Sequence, residues 1–236
     1  MNPFFRLHSG LPREAPGDRA SVDWAFTTGN VARDAKILDA GCGPGADIAA
    51  LLENAPAGEV LAVDLHAPFI DAVKARWLDE PRVTARVQSM DEPEGPFDLV
   101  WAAGALYFLG IEAGLRHFRP HLAPGGVVAF SELAWLVDDP APGLVWEMRK
   151  EYPEIGGAEA LQARVMAAGY DICGLRVLDD AAWEAYYTPM EARIAALRPG
   201  ADADLINVLN AAGEEIALWR ENRDQLGYIL AVARPA

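Results

Sequence analysis

The stretch Ile37-Leu38-Asp39-Ala40-Gly41-Cys42-Gly43-Pro44-Gly45 decides how this chain folds. Lys36 to Ala40 reads as a short buried strand, the three glycines as a tight turn, and Ala46 to Asn54 as the helix the turn opens. Glycine is needed where the backbone takes positive φ or lies against a ligand. The helix that follows offers free N–H groups at its N-terminus. Strand, glycine turn and helix N-terminus together make a nucleotide pocket at the end of a parallel sheet. The spelling is Gly-x-Gly-x-Gly, whereas a pyrophosphate cradle reads Gly-x-Gly-x-x-Gly. Asp39 stands two residues before the first glycine, where its carboxylate can accept hydrogen bonds from an ammonium group.

The run Asp39-Ala40-Gly41-Cys42-Gly43-Pro44-Gly45 resembles motif I of the class I S-adenosylmethionine (SAM)-dependent methyltransferases. SAM carries an ammonium group in its methionine half and a dinucleotide does not. The resemblance implies a Rossmann-like α/β fold: a seven-stranded, mostly parallel sheet of order 3-2-1-4-5-7-6, the last strand antiparallel, with helices on both faces. It also implies SAM as cofactor and S-adenosylhomocysteine as its product, with Asp39, Gly41, Gly43 and Gly45 at the cofactor.

Outward from the turn, Glu59 to Leu65 reads as the second strand, its apolar run suited to burial on both faces. Asp64 closes it 23 residues after Gly41, the spacing at which an acid accepts from both ribose hydroxyls, with Leu65 beside it. Pro68 to Leu78 reads as a helix and Val83 to Val87 as the third strand. The resemblance puts Met90 against the adenine ring and Asp91 on its exocyclic amine. Phe97 to Gly104 is the fourth strand; Gly104 and the following Ala105 to Gly110 cross the mouth of the pocket. Ile111 to Leu122 reads as a helix and Val127 to Leu133 as the fifth strand.

Upstream, residues 1–17 look irregular, and Asp18 caps a helix over Arg19 to Thr28 that Gly29-Asn30 ends. Downstream, Trp135, Trp146, Tyr152 and several prolines crowd a short interval. Ala158 to Ala168 reads as a helix and Tyr170 to Leu178 as the sixth strand. Thr188-Pro189-Met190-Glu191 has capping-box spacing and predicts a helix start. Asp202 to Gln225 reads as a long helix with Leu205, Leu209, Ala212, Ile216 and Trp219 on one face, and Gly227 to Arg234 as the seventh strand. The expected organisation is a lid segment and helix over residues 1–35, a SAM-binding core over 36–178, a helical substrate-covering insertion over 179–225 and the final strand over 226–236.

A length of 236 residues, 52% of them hydrophobic, suits one α/β domain with an extra lobe. The net charge of −15 repels phosphate backbones, so nucleic acid is an unfavourable partner. No apolar run is long enough to span a membrane and no leader is evident, so the expectation is a cytoplasmic protein, a monomer or homodimer, acting on a small molecule. Cys42 and Cys173 read as separate buried thiols.

Methyl transfer from a sulfonium is an in-line displacement, in which a protein mainly aligns nucleophile and methyl carbon and excludes water. Acceptors of high pKa also need a base. Glu132, at the end of the fifth strand, is the candidate base or cation partner. Tyr107 is the candidate for lining the site or donating to the acceptor, and Trp135, Trp183 and Tyr187 are candidate substrate-pocket rings, with Trp146 and Tyr186 nearby in sequence. His8 reaches the site only if the N-terminal segment is a lid. His117 and His121 have i,i+4 metal spacing but no third ligand, so no metal is expected. Trp101 to Tyr107, Ser131-Glu132 and Trp135 extend the resemblance to bacterial small-molecule methyltransferases, many of which carry Glu where this chain has Ala103. The competing expectations are a non-catalytic SAM-binding subunit or regulator and, further off, a nicotinamide-dependent oxidoreductase.

Overall fold

The computed structural model describes residues 2–92 and 94–236. In chain order the elements are α1 (Pro3–His8), α2 (Arg19–Gly29), β1 (Lys36–Ala40), α3 (Ile48–Asn54), β2 (Glu59–Asp64), α4 (Ala67–Arg76), β3 (Val83–Val87) and β4 (Phe97–Ala103). They continue as α5 (Ile111–Phe118), β5 (Leu122–Trp135), α6 (Pro142–Glu151), α7 (Ala158–Ala167), β6 (Tyr170–Val177), α8 (Asp180–Leu197), α9 (Ala203–Asn222) and β7 (Leu226–Pro235).

One sheet of seven strands runs β3-β2-β1-β4-β5-β7-β6. The first five are parallel, and β7 pairs antiparallel with both β5 and β6. This is the order that the resemblance to class I methyltransferases implies. From β1 the chain winds outward to β2 and β3, then returns to lay β4 on the other flank of β1. That reversal opens a crevice at the carboxyl ends of β1 and β4, and the glycine turn sits there.

Alternate residues of each strand divide the core. On one face Ile37, Val60, Leu99 and Val127 pack under α2, α3 and α4 through Val22, Phe26, Leu51 and Ile70. On the other face Leu38, Val100, Val128 and Phe130 pack under α5 and α7 through Leu115, Phe118, Leu161 and Val165. Burial on both faces explains the near-continuous apolar strands. A third cluster joins Leu7 of α1 to Trp183, Tyr187 and Met190 of α8 and Leu205, Leu209, Ile216 and Trp219 of α9. The predicted stripe of α9 is wholly buried there, and the Asp202 carboxylate caps that helix through the Leu205 N–H at 2.9 Å.

Several local expectations are corrected. Residues 1–17 are not wholly irregular. Asn2 caps the Phe4 N–H at 2.9 Å, Pro3 takes the first turn, and Leu7 is buried against the helical lobe, so a helix of six residues forms. The helix predicted from Ala46 begins at Ile48, because the Asp47 side chain is engaged elsewhere and makes no cap bond. Thr188-Pro189 does not start a helix. Asp179 accepts from the Ala182 N–H, and α8 runs on through Pro189 to Leu197. Tyr186, Tyr187, Met190 and Ile194 are buried on both sides of the proline, so packing holds the helix together across a residue that cannot donate to Ala185. Strand β5 starts earlier than predicted, with Leu122 paired to Phe97 across a register shift, and ends later, at Trp135. The crowded interval after Trp135 contains α6, with Pro142 in its first turn.

Candidate functional site

The three turn glycines all have positive φ, +72° at Gly41, +51° at Gly43 and +77° at Gly45, but different neighbours. A Cβ on Gly41 stands 2.6 Å from the Ala105 Cβ, and one on Gly45 stands 2.8 Å from Ile48 Cδ1 and 2.9 Å from Val73 Cγ2. Those two positions are closed by packing of the turn on the β4 loop and of α3 and α4 on the sheet. At Gly43 a Cβ meets only the Glu14 side chain, at 3.2 Å. Gly43 therefore fronts the crevice, covered by a side chain that can move.

Asp64 ties this turn to the end of β2. Its Oδ2 accepts from the Gly43 N–H at 3.0 Å and its Oδ1 from the His66 N–H at 2.7 Å. Each oxygen keeps a further lone pair for a hydroxyl donor. The N–H groups of Gly41 and Cys42 both donate to the Val63 carbonyl at 2.9 Å. Asp39 lies beneath, 4% exposed, and its Oδ2 has no partner among the described residues. Burial, then the charges of Asp47 and Asp64, hold its pKa well above the usual carboxylate range. A buried carboxylate without a hydrogen-bond partner is costly unless a donor or cation arrives. That is the fit expected for an ammonium group. Burial likewise raises the Cys42 thiol, an inert group in the core.

The N-terminal segment lies across the turn. Arg13 donates to Asp47 Oδ1 at 2.9 Å, to the Ala15 carbonyl at 2.7 Å and to the Gly17 carbonyl. Asp47 also accepts from Trp101 Nε1 at 3.0 Å, so one carboxylate joins segment, turn and sheet. His8 Nδ1 and Glu14 Oε2 are 2.6 Å apart, and Phe5 stacks on His66 with centroids 3.7 Å apart. Ala15 presses on Gly104 so closely that a Cβ there comes within 2.3 Å of the Ala15 Cβ. The Gly104 N–H donates to Ser131 Oγ at 2.8 Å. Leu65 is 71% exposed beside Asp64, Met90 packs partly buried near Gly41, and Asp91 sits in the turn after β3.

Beyond Gly104 in the chain stands a second set of groups. Tyr107 and Tyr152 touch edge-on with centroids 5.7 Å apart. Glu132, on the α5 and α7 face of β5, has an Oε2 with no partner among the described residues, and burial pushes its pKa up to about 7. Its charge in turn raises Tyr107, Tyr152 and Tyr228, whose own burial is the larger cause; Tyr152 is pushed up to about 12. Tyr187 donates to Glu215 Oε1 at 2.9 Å. Tyr107, Tyr152, Tyr228 and Glu132 are half-buried and Glu215 is exposed.

The predicted site residues thus separate. Asp39, Gly41, Gly43, Gly45 and Asp64 converge on the crevice, with Met90 and Gly104 at its margins. Tyr107 touches Tyr152, Glu132 lies on the α5 and α7 face of β5, and Tyr187 is buried in the helical lobe. Trp135 packs with Leu144, Ile155 and Leu226, and Trp183 stacks on Trp219 at 4.8 Å in the lobe core. Trp146 is 66% exposed with Lys150 over its ring. His117 and His121 are half-buried at the end of α5, their ring centroids 5.9 Å apart, and the His117 Nε2 is covered without a partner among the described residues. Sequence reasoning did not assign roles to Arg13, Glu14, Asp47, Ser131, Glu215 or Tyr228. None belongs to a local pattern, except that Asp47 follows the last turn glycine by two residues.

Residues 38–128 match a family model described as a methyltransferase domain. A malonyl-[acyl-carrier protein] O-methyltransferase of Pseudescherichia vulneris is 30% identical over 132 residues, covering 56% of this chain and 52% of the relative. A trans-aconitate 2-methyltransferase of Azoarcus sp. is 30% identical over 138 residues, covering 58% and 54%. The chain therefore spans about half the length of the curated relatives it matches. A SAM-dependent methyltransferase from Geobacter sulfurreducens in complex with S-adenosylhomocysteine has a similar structure, with a TM-score of 0.84 and 17% identity over 100% of this chain and 98% of that one. A SAM-dependent methyltransferase from Thiobacillus denitrificans, also in complex with S-adenosylhomocysteine, gives a TM-score of 0.82 and 17% identity over 99% and 98%. Residues 38–128 thus match a methyltransferase domain, and the whole chain shares the fold of these two structures.

Proposed function

We propose that this protein transfers a methyl group from SAM to a small-molecule acceptor. The observation that carries the reading is the pair Asp39 and Asp64 around the glycine turn: a buried carboxylate lacking a partner, beside one whose remaining lone pairs face the crevice. Bound there, SAM supplies an electrophilic methyl group on a sulfonium cation. Asp39 holds the ammonium end, directly or through the turn. Asp64 takes the ribose hydroxyls, and Met90 and Asp91 flank the base, with Leu65 and Gly104 completing the walls.

The segment before α2 and the lobe of α8 and α9 close over the two ligands. Arg13 fastens the first to the sheet through Asp47, and Gly104 lets Ala15 approach. Tyr107 and Glu132 stand where an acceptor approaches from the side of β4 and β5 and orient or deprotonate it. The relatives' names point to methylation of malonyl-[acyl-carrier protein] and of trans-aconitate, which supports a small or carrier-borne acceptor rather than nucleic acid. The acidic surface supports the same choice. We place the protein in the cytoplasm as a monomer or homodimer, without a metal.

Calorimetric titration with SAM and S-adenosylhomocysteine, followed by a metabolite screen for labelled-methyl transfer, tests the reading. Micromolar binding of both that Asp64→Ala weakens roughly 10- to 150-fold, with transfer to at least one metabolite, is the expected result. Binding without transfer to any acceptor would make the protein a SAM-binding subunit. No binding would remove the cofactor assignment altogether.

A further inference from the structure

Resting on the methyltransferase reading above, we infer that Glu14, in the segment before α2, is a further cofactor-binding residue whose carboxylate accepts from a polar hydrogen of bound SAM, on the ribose hydroxyls or the ammonium group. The Glu14 side chain lies across Gly43: a Cβ on that glycine would stand 3.2 Å from Glu14 Cγ and 3.6 Å from Glu14 Cβ. The Gly43 N–H is also the donor to Asp64 Oδ2, at 3.0 Å. Asp64 and Glu14 therefore meet at one residue of the turn, the first on its N–H and the second over its α carbon. The segment reaches Asp64 by a second route as well. Phe5 stacks on His66 with centroids 3.7 Å apart, and the His66 N–H donates to Asp64 Oδ1 at 2.7 Å.

The two oxygens of Glu14 have different surroundings. Oε2 lies 2.6 Å from His8 Nδ1, and the His8 ring is stacked on Phe4 with centroids 4.0 Å apart. Oε1 is covered and has no partner among the described residues. A side chain that merely plugged the crevice of the free protein would have its polar atoms satisfied by the fold, as covered polar groups generally are. Burial is the main force that raises the Glu14 pKa; His8 and His66 pull it down and Asp64 pushes it up. A donor at Oε1 offsets the desolvation, and a cation offsets the repulsion from Asp64 as well.

The fold holds Glu14 in place for this role. Arg13 donates to the Ala15 carbonyl at 2.7 Å, to the Gly17 carbonyl and to Asp47 Oδ1 at 2.9 Å, which pins the backbone beside Glu14. At the other end of the segment α1 is tied to the helical lobe. Arg6 lies 2.9 Å from Asp202, and Arg193 donates to the Arg6 carbonyl at 3.1 Å. With both ends anchored, a ligand against Gly43 and Asp64 is met by a turn of the Glu14 side chain alone, which brings Oε1 onto it. The contact is supplied from outside the sheet, by a residue that belongs neither to the glycine turn nor to a strand end.

Calorimetric titration with S-adenosylhomocysteine and with 5′-methylthioadenosine, which keeps the ribose and lacks the ammonium group, tests the inference. The variants are Glu14→Leu, which keeps the cover over Gly43 and removes the acceptor, and Glu14→Gln, which keeps a hydrogen-bonding group for His8 and removes the charge. Glu14→Leu should weaken S-adenosylhomocysteine binding at least roughly tenfold without lowering the melting temperature of the ligand-free protein. An equal loss for 5′-methylthioadenosine assigns the donor to the ribose, and a loss confined to S-adenosylhomocysteine assigns it to the ammonium group. Affinity within about twofold of wild type for both ligands overturns the proposal, and tighter binding overturns it by making Glu14 a plug. If Glu14→Leu does lower the ligand-free melting temperature, Glu14→Gln decides: at least roughly threefold weaker binding supports the contact, and unchanged binding overturns it. Failure of the wild-type protein to bind either ligand strikes the cofactor reading itself, and this inference with it.

Discussion

Glu132 offers a test in which structure sets the magnitude. Folding covers its carboxyl and raises its pKa from 4.5 to about 7, with desolvation the main cause. The displacement corresponds to about 3 kcal/mol, the free energy by which the folded state disfavours ionised over protonated Glu132 relative to the unfolded chain. The sign follows from proton counts. Between the two pKa values the folded state keeps a proton the unfolded chain has lost, so this group's contribution falls as pH rises and is fully unfavourable above about pH 7. The facing charges do not confuse the window. Arg164 pulls the value down and Glu112 pushes it up, and Glu112 is itself held below its ordinary range by Arg164, so it finishes titrating at lower pH. Tyr107, Tyr152 and Tyr228 are all driven up and stay protonated throughout. Glu132→Gln keeps shape and removes the titration. The amide brings its own buried donor, whose cost does not vary with pH. Urea unfolding of both proteins from pH 4.5 to pH 8 should therefore show the variant gaining stability relative to wild type by up to about 3 kcal/mol across that range. Asp39, Glu14 and Glu215 titrate in both proteins and cancel. A stability difference that stays flat with pH would show that Glu132 is not desolvated in solution and would remove it as a base poised near neutrality.

Asp39→Asn should likewise stabilise the ligand-free protein at neutral pH, while weakening SAM binding at least roughly tenfold; thermal shift with and without SAM reads both effects together. Gly43→Val meets only Glu14 within the fold, so native circular dichroism with loss of SAM binding is expected, and retained binding would mean that the turn does not touch the cofactor. Arg13→Ala leaves Asp47 with Trp101 alone and should cost about 2–4 kcal/mol of local stability. Faster amide exchange over residues 9–17 is the observable, and unchanged exchange would show that Arg13 does not hold the segment. Pro189→Ala restores a donor to the Ala185 carbonyl inside α8 and should raise the unfolding free energy by about 1–3 kcal/mol, measured by urea titration.

Features that depend on neighbours in the chain were legible from the chain itself. The positive-φ glycines, the acid that ends β2, the Asp18 and Asp202 caps and the stripe of α9 each rest on spacing that covalent geometry turns directly into backbone shape. The resemblance added the sheet order, which no periodicity contains. The sequence also brought Tyr107, Glu132 and Tyr187 to notice one at a time, by type and by position near strand ends. It could not show that Tyr107 meets Tyr152, or that Tyr187 donates to Glu215, because each pair joins segments far apart in the chain. Nor could it show that Asp47 joins Arg13 to Trp101 across the turn, or that Glu132 lacks a partner for one oxygen. Pro189 carries the same lesson in reverse. Its local pattern favours a helix start, and the buried residues on either side outweigh it, since burying large side chains is worth more than one hydrogen bond. Local geometry is written in the order of residues; desolvation, and with it the chemistry of the carboxylates, is decided by what the rest of the fold brings against them.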